Sequence, residues 1–173
     1  MRISHAVTTV FDDPNLVSCA GLAPVLQLAE RAGLQRLVAE HVDLGVPGSA
    51  NPHLKVGSLV AGMVAGADSI DDMALLRHGA MSRLFAGVRA PFTLGTLLRS
   101  FTFGHVRQLD AVASRLLINL AGQAPLLPGA DELAHLDVDD TLKQTYGYAK
   151  QGAGRGYTGV KGLNALLAIV LKG

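Results

Sequence analysis

Residues 135–163 read HLDVDDTLKQTYGYAKQGAGRGYTGVKGL, and the carboxylates, cations and glycines on which any chemistry of this chain would rest are concentrated there. Taken as a strand, the stretch alternates so that Asp137 and Asp139 project from one face, and Leu136, Val138 and Asp140 from the other. Two aspartates at that spacing, followed by Asp140 and Thr141, offer the oxygen donors that Mg²⁺ prefers, of which it usually takes one or two from protein. The same residue types gather at strand ends because they close turns. Local spacing accommodates both readings.

From Thr141 onward the chain carries five cations (Lys143, Lys150, Arg155, Lys161, Lys172) and no acid, which leaves ten cations against fourteen acids before it. The overall charge of +1 therefore conceals a segment of +5 attached to a remainder of −4. Such segregation makes the average uninformative about partners. Tyr148 and Tyr157 lie among Gly152, Gly154, Gly156, Gly159 and Gly162. Backbone of this kind can approach a phosphate closely while cations neutralise it, so Lys143, Lys150, Arg155 and Lys161 are candidate DNA-phosphate contacts. A flexible, solvated hairpin loop has the same composition.

The segment LDVDDTLKQTYGYAKQGAGRGYTGVKGLNALLA resembles the start of the catalytic domain of insertion-sequence transposases of the DDE class. In that family the first catalytic aspartate ends the first strand of an RNase H-like sheet. GADSIDDMALLRHGAM, APFTLGTLLRSFTFGHVRQLDAV and PLLPGADELAHLDVDDT resemble the same family's helical N-terminal region, so the likeness runs from about Phe11 to Leu171. The family's aspartate, followed by a small or acidic residue and then threonine, maps onto Asp139, Asp140 and Thr141. The resemblance thus implies Asp139 as the catalytic, metal-binding aspartate, with Asp137 as second choice, Mg²⁺ as cofactor and transposon-end DNA as partner, together with the chain itself or a full-length transposase. The family's later aspartate and glutamate have no counterpart here, so the chain is expected to be the N-terminal part of such an enzyme, holding one of three carboxylates.

The remaining composition fits a folded protein. At 173 residues with 49% hydrophobic residues and a mean hydropathy of +0.32, the chain is too apolar for disorder and long enough for one core, or one domain and part of another. The single Cys19 excludes an internal disulfide and suits a reducing cytoplasm. The longest uncharged apolar run, between Lys55 and Asp68, is far short of the ~20 residues that cross a bilayer, and no signal peptide is evident, so no membrane partner is expected.

The expected fold class is α+β: a mostly helical region over 1–128, then the first strands of a truncated RNase H-like domain over 129–173. A short strand is expected at Ala6–Val10 and two short helices from Pro24 to His41, separated by Gly33. Leu54–Ala67 reads as a helix apolar nearly all round and central to the core. Ser69 reads as the N-cap of a helix to His78, with Asp71 and Asp72 as first-turn acids rather than metal ligands. Thr93 reads as the cap of the next helix, and Val106, Leu109, Ala113, Leu116, Leu117 and Leu120 as the apolar stripe of a longer one. Arg99, His105, Arg107 and Arg115 fall off that stripe, as a solvated basic face or as phosphate contacts. Prolines and glycines at residues 121–132 mark the boundary before antiparallel strands at Leu133–Thr141 and Leu163–Leu171, the latter apolar enough for burial on both faces. GRGYTG matches a dinucleotide fingerprint only formally, since a strand rather than a helix follows it.

Overall fold

Gly33, at φ +84°, adopts the left-handed conformation that costs glycine least, and it separates helix α1 (Leu22–Arg31) from α2 (Leu34–His41). The computed structural model describes residues 13–46, 50–126, 128–129, 132–146 and 150–172. The strand expected at Ala6–Val10, and Tyr148, lie outside the described residues. After α2 the chain forms α3 (Pro52–Val64), a 3₁₀ helix (Asp71–Arg77), α4 (Met81–Leu84), α5 (Pro91–Ser100), α6 (Phe103–Ala121) and three strands: β1 (Ala134–Gln144), β2 (Gly154–Arg155) and β3 (Lys161–Lys172). The fold class is mixed α+β, with two compact units, Met1–Phe101 and Thr102–Gly173.

Within the first unit α3 touches α1, α2, α5 and the 3₁₀ helix, in keeping with the central place expected of it. Val56, Ser58, Ala61 and Gly62 are buried, whereas Met63 and Val64 are exposed, so the helix is not apolar-buried all round. Gly62 is needed for contact: a Cβ there would collide with the sulfur of Met73. Ser58 Oγ donates to Leu54 O at 2.9 Å and accepts from Arg89 N–H at 3.1 Å, tying the segment before α5 to α3. Leu76, Met81, Leu94, Leu97 and Val38 fill the interior.

Two helix starts differ from expectation. The helix after Ser69 is 3₁₀ rather than α, although its acids do cap: Asp72 Oδ2 accepts from Ser69 Oγ at 2.7 Å and from the N–H groups of Ser69 and Asp68 at 2.8 and 3.2 Å. Those bonds, the Ser69 hydroxyl first, hold the Asp72 carboxyl below the usual carboxylate range. Helix α5 begins at Pro91, whose fixed φ and missing N–H suit the first position, so Thr93 lies inside the first turn and caps nothing.

In the second unit α6 is capped by Thr102, whose N–H donates to Nδ1 of His105 at 3.1 Å. Val112 is buried and His105, Gln108, Leu109, Ala111, Leu116, Asn119 and Leu120 are half-buried, while Val106, Ala113, Leu117 and Ile118 are exposed. Of the expected stripe, Leu109, Leu116 and Leu120 are on the less exposed side and Val106, Ala113 and Leu117 are not. Strands β1 and β3 pair antiparallel over eleven residues, from Ala134↔Lys172 to Gln144↔Gly162, and β2 adds Gly154↔Gly162 and Arg155↔Lys161 on the other edge of β3. The two expected strands form, but the burial expected of Leu163–Leu171 does not: Leu166 is 75% exposed and Ile169 50%.

Candidate nucleic-acid interface

Directly paired residues of an antiparallel ladder share a face, so the register assigns every side chain of the ribbon to one side or the other. Asp137, Asp139, Thr141 and Lys143 of β1 stand opposite Ile169, Leu167, Ala165 and Leu163 of β3. One step further, Thr145 N–H donates to Lys161 O at 3.1 Å, which continues the same row, and Arg155 pairs with Lys161 from the other edge. Asp137, Asp139, Lys143, Lys161 and Arg155 therefore share one face of the sheet. At about 3.3 Å per residue, Asp137 and Asp139 are roughly 7 Å apart along the strand, and Lys143 follows Asp139 by roughly 13 Å. Lys150 is exposed in the connection between β1 and β2.

Asp140 belongs to the opposite face, where Oδ2 accepts a hydrogen bond from Asn164 Nδ2 at 3.0 Å. Apart from these two and Gln144 at its end, that face carries Leu136, Val138 and Leu142 of β1 and Leu166 and Val170 of β3, all exposed. The two sides of β1 are thus chemically distinct, polar with acids and cations on one and apolar on the other.

The cations differ in their freedom. Lys143, Lys150 and Arg155 are exposed, and Lys161 is half-buried. Arg155 folds back to donate from Nη1 to Gly159 O at 2.7 Å, spending one of its donors on the turn that joins β2 to β3. In the helical region Arg99 Nη2 reaches Thr96 Oγ1 at 3.3 Å and Arg115 Nη1 reaches Ala111 O at 3.1 Å, so both guanidinium groups are engaged on their own helices.

Asp137 and Asp139 are hard oxygen donors of the kind Mg²⁺ takes, and their common face lets both approach one ion. Among the described residues, no three His, Cys, Asp or Glu side chains converge on a common point. Asp72 stays with the capping reading, since its carboxylate is occupied by Ser69 and by the Asp68 N–H. GRGYTG lies in β2 and the following turn and leads into strand β3, so it does not open a helix.

Two features of this region escaped the sequence. One is β2, whose Gly154–Arg155 span is too short to leave a periodic signal. The other is the direct pairing of Arg155 with Lys161, for which the only cue was a glycine-rich turn of the right length between them. Within the helical unit a hollow of about 370 Å³ lies among Leu26, Leu34, Leu54, Ala61, Leu76 and Phe85. It contains none of the predicted site residues. No helix among the described residues is long and apolar enough to cross a membrane. Comparisons with family models, with curated proteins and with solved structures return no match for this chain.

Proposed function

We propose that the chain is the front part of a DDE-class DNA transposase, a helical region followed by the opening strands of an RNase H-like catalytic domain. The observation that carries the reading is the shared sheet face of Asp137, Asp139, Lys143, Lys161 and Arg155, which sets a carboxylate pair beside a row of phosphate-binding cations. Asp139, with Asp137, would hold Mg²⁺. Bound between such carboxylates, the ions supply activation of a water or 3′-hydroxyl and stabilisation of the leaving oxygen in an in-line displacement. Lys143, Lys150, Arg155 and Lys161 bind and orient the DNA backbone by charge, without reading its sequence.

Hydrogen–deuterium exchange with and without a duplex tests this. Protection on DNA binding is expected between Lys143 and Lys161, and protection confined to residues 22–121 would move the interface to the helices.

A second reading is supported by the lack, among the described residues, of any group of three His, Cys, Asp or Glu side chains that could hold a metal ion. It makes the chain a non-catalytic DNA-binding or regulatory relative of such transposases. Mg²⁺-dependent nicking of a duplex, lost in Asp139→Ala, would exclude it.

A further inference from the structure

The hollow of the helical unit is walled by two helix faces. Leu26, Gln27 and Glu30 lie on one side of α1 and Leu54, Gly57 and Ala61 on one side of α3, at helical spacing in both, and residues 84–88 complete the wall. Leu26, Leu54, Phe85 and Val88 are half-buried, so solvent reaches the apolar walls. At about 370 Å³ the space falls within the range of small-molecule pockets, ~300 to ~1,000 Å³, and an apolar protein cavity of about 150 Å³ already admits benzene.

Gly57 keeps this space open. Nothing lies within 4 Å of a Cβ added there, whereas at Gly62 on the same helix a Cβ would collide with Met73. Glycine inside a helix costs stability relative to alanine. No neighbour requires that cost at position 57, and the room it leaves lies in the hollow.

The walls also carry a charge of one sign. Among the described residues that line the hollow, Glu30 is the one ionisable group. The salt bridge of α2 joins Arg36 to Glu40 at 3.1 Å and does not include Glu30. Ser58 Oγ is committed to Leu54 O and to the Arg89 N–H, which leaves Gln27 and Gln35 as the other polar side chains of the wall. A molecule with an apolar body and a positive head matches such walls, while an anionic head would meet a carboxylate and no lining cation.

We propose that the hollow between α1 and α3 binds a small amphiphilic amine, its hydrocarbon body against Leu26, Leu54 and Phe85 and its ammonium beside Glu30, with Gln27 and Gln35 as further acceptors. The site lies in the helical unit and does not depend on the DNA-binding reading.

The test is a titration of the full, isotope-labelled chain with three probes of matched shape, phenylbutylamine, phenylbutanol and phenylbutyrate, followed through amide chemical shifts. Shifts should concentrate in α1, α3 and residues 84–88. The amine should bind about two- to fivefold more tightly than the alcohol, the strength of one exposed ion pair, with the carboxylate weakest. Glu30→Gln should erase the amine's advantage and leave affinity for the alcohol unchanged. Gly57→Leu, which puts a side chain into the hollow, should weaken all three by more than about tenfold. Its melting temperature should be unchanged or higher, because leucine is the better helix former. No shifts with the amine, shifts centred elsewhere, wild-type binding by Gly57→Leu, or an alcohol or carboxylate that binds as tightly as the amine overturns the proposal. So does a lower average mass of Gly57→Leu in sedimentation, which would assign the hollow to a second copy of the chain. Should Gly57→Leu fail to fold, Glu30→Gln decides alone: an amine preference that survives it contradicts the site.

Discussion

Asn164 Nδ2 donates to Oδ2 of Asp140 across the β1–β3 ladder at 3.0 Å, on the face of the sheet turned away from Asp139. Two adjacent aspartates are thereby given different work. Asp140 fastens the ribbon, while Asp139 stands with Asp137 and the cations.

The first prediction follows from that division. Asn164→Ala should loosen the ladder, raising hydrogen exchange of β1 and β3 amides by up to roughly fivefold, equivalent to about 1 kcal/mol for one cross-strand pair. Mg²⁺ affinity should be unchanged. Asp139→Asn should do the reverse. Equal effects of the two variants on ribbon exchange would remove the distinction.

Asp72 gives a pH dependence whose sign is fixed by its bonds from Ser69 and Asp68. Its carboxyl is held lower in the folded chain than in the unfolded one, so its contribution is present above the unfolded value of about 4 and is lost as pH falls through the lower folded value. The gap in melting temperature between wild type and Asp72→Asn should be constant from neutral pH down to the ordinary carboxylate range, and should close below it. A gap that widened in acid would contradict the assignment.

Gly62 and Gly57 lie on one helix in unlike surroundings. Gly62→Ala drives a methyl into Met73 and should cost about 1–3 kcal/mol in urea unfolding. Gly57 has no neighbouring atom within 4 Å of an added Cβ. Its change to alanine should stabilise by roughly 0.5–1 kcal/mol, because helix formation then costs less backbone entropy. Similar effects at both positions would mean that α3 is not packed through Gly62.

The ribbon's apolar side should make the chain associate. Edge strands of natural sheets usually carry charge, proline or a bulge, whereas Leu163–Leu171 has none and β2 covers only its start. Leu166, 75% exposed and opposite Asp140, is the strongest contributor. Leu166→Lys should shift self-association in sedimentation to concentrations about tenfold higher, or some 1.4 kcal/mol. An unchanged profile would locate association elsewhere.

The particulars above show what residue order determines by itself. The alternation LDVDD was enough to separate Asp137 and Asp139 from Asp140, because side-chain direction in a strand has a period of two. The apolar run at Leu163–Leu171 likewise gave a strand, but not its environment, since hydrophobicity reports what a strand could bury and not whether anything covers it. Helix α6 shows a related limit: Val106 and Leu117 are apolar yet exposed, while Gln108 and Asn119 are half-buried beside Leu109, Leu116 and Leu120, so periodicity marks an apolar stripe without showing how much of it is covered. Its cap lies in Thr102 and His105 three residues on, a pattern that sequence signals poorly because histidine is an unusual partner in that role. Proline at the first position of α5 outweighed Thr93 for the same local reason, a fixed φ being available where a cap was not.

The central claim is that the cations of the Asp139 face, with Lys150 of the β1–β2 connection, bind DNA phosphates, and its most direct test is the salt dependence of duplex affinity. Four contacts, from Lys143, Lys150, Arg155 and Lys161, give a slope of log binding constant against log salt of roughly −3.6. Replacing all four by alanine should flatten the slope to near zero and weaken binding to every sequence alike. Replacing Arg99 and Arg107 instead should leave it near the wild-type value. A fourfold variant that kept the full slope, with the Arg99 and Arg107 variant losing it, would contradict the claim and assign the phosphate contacts to the helices.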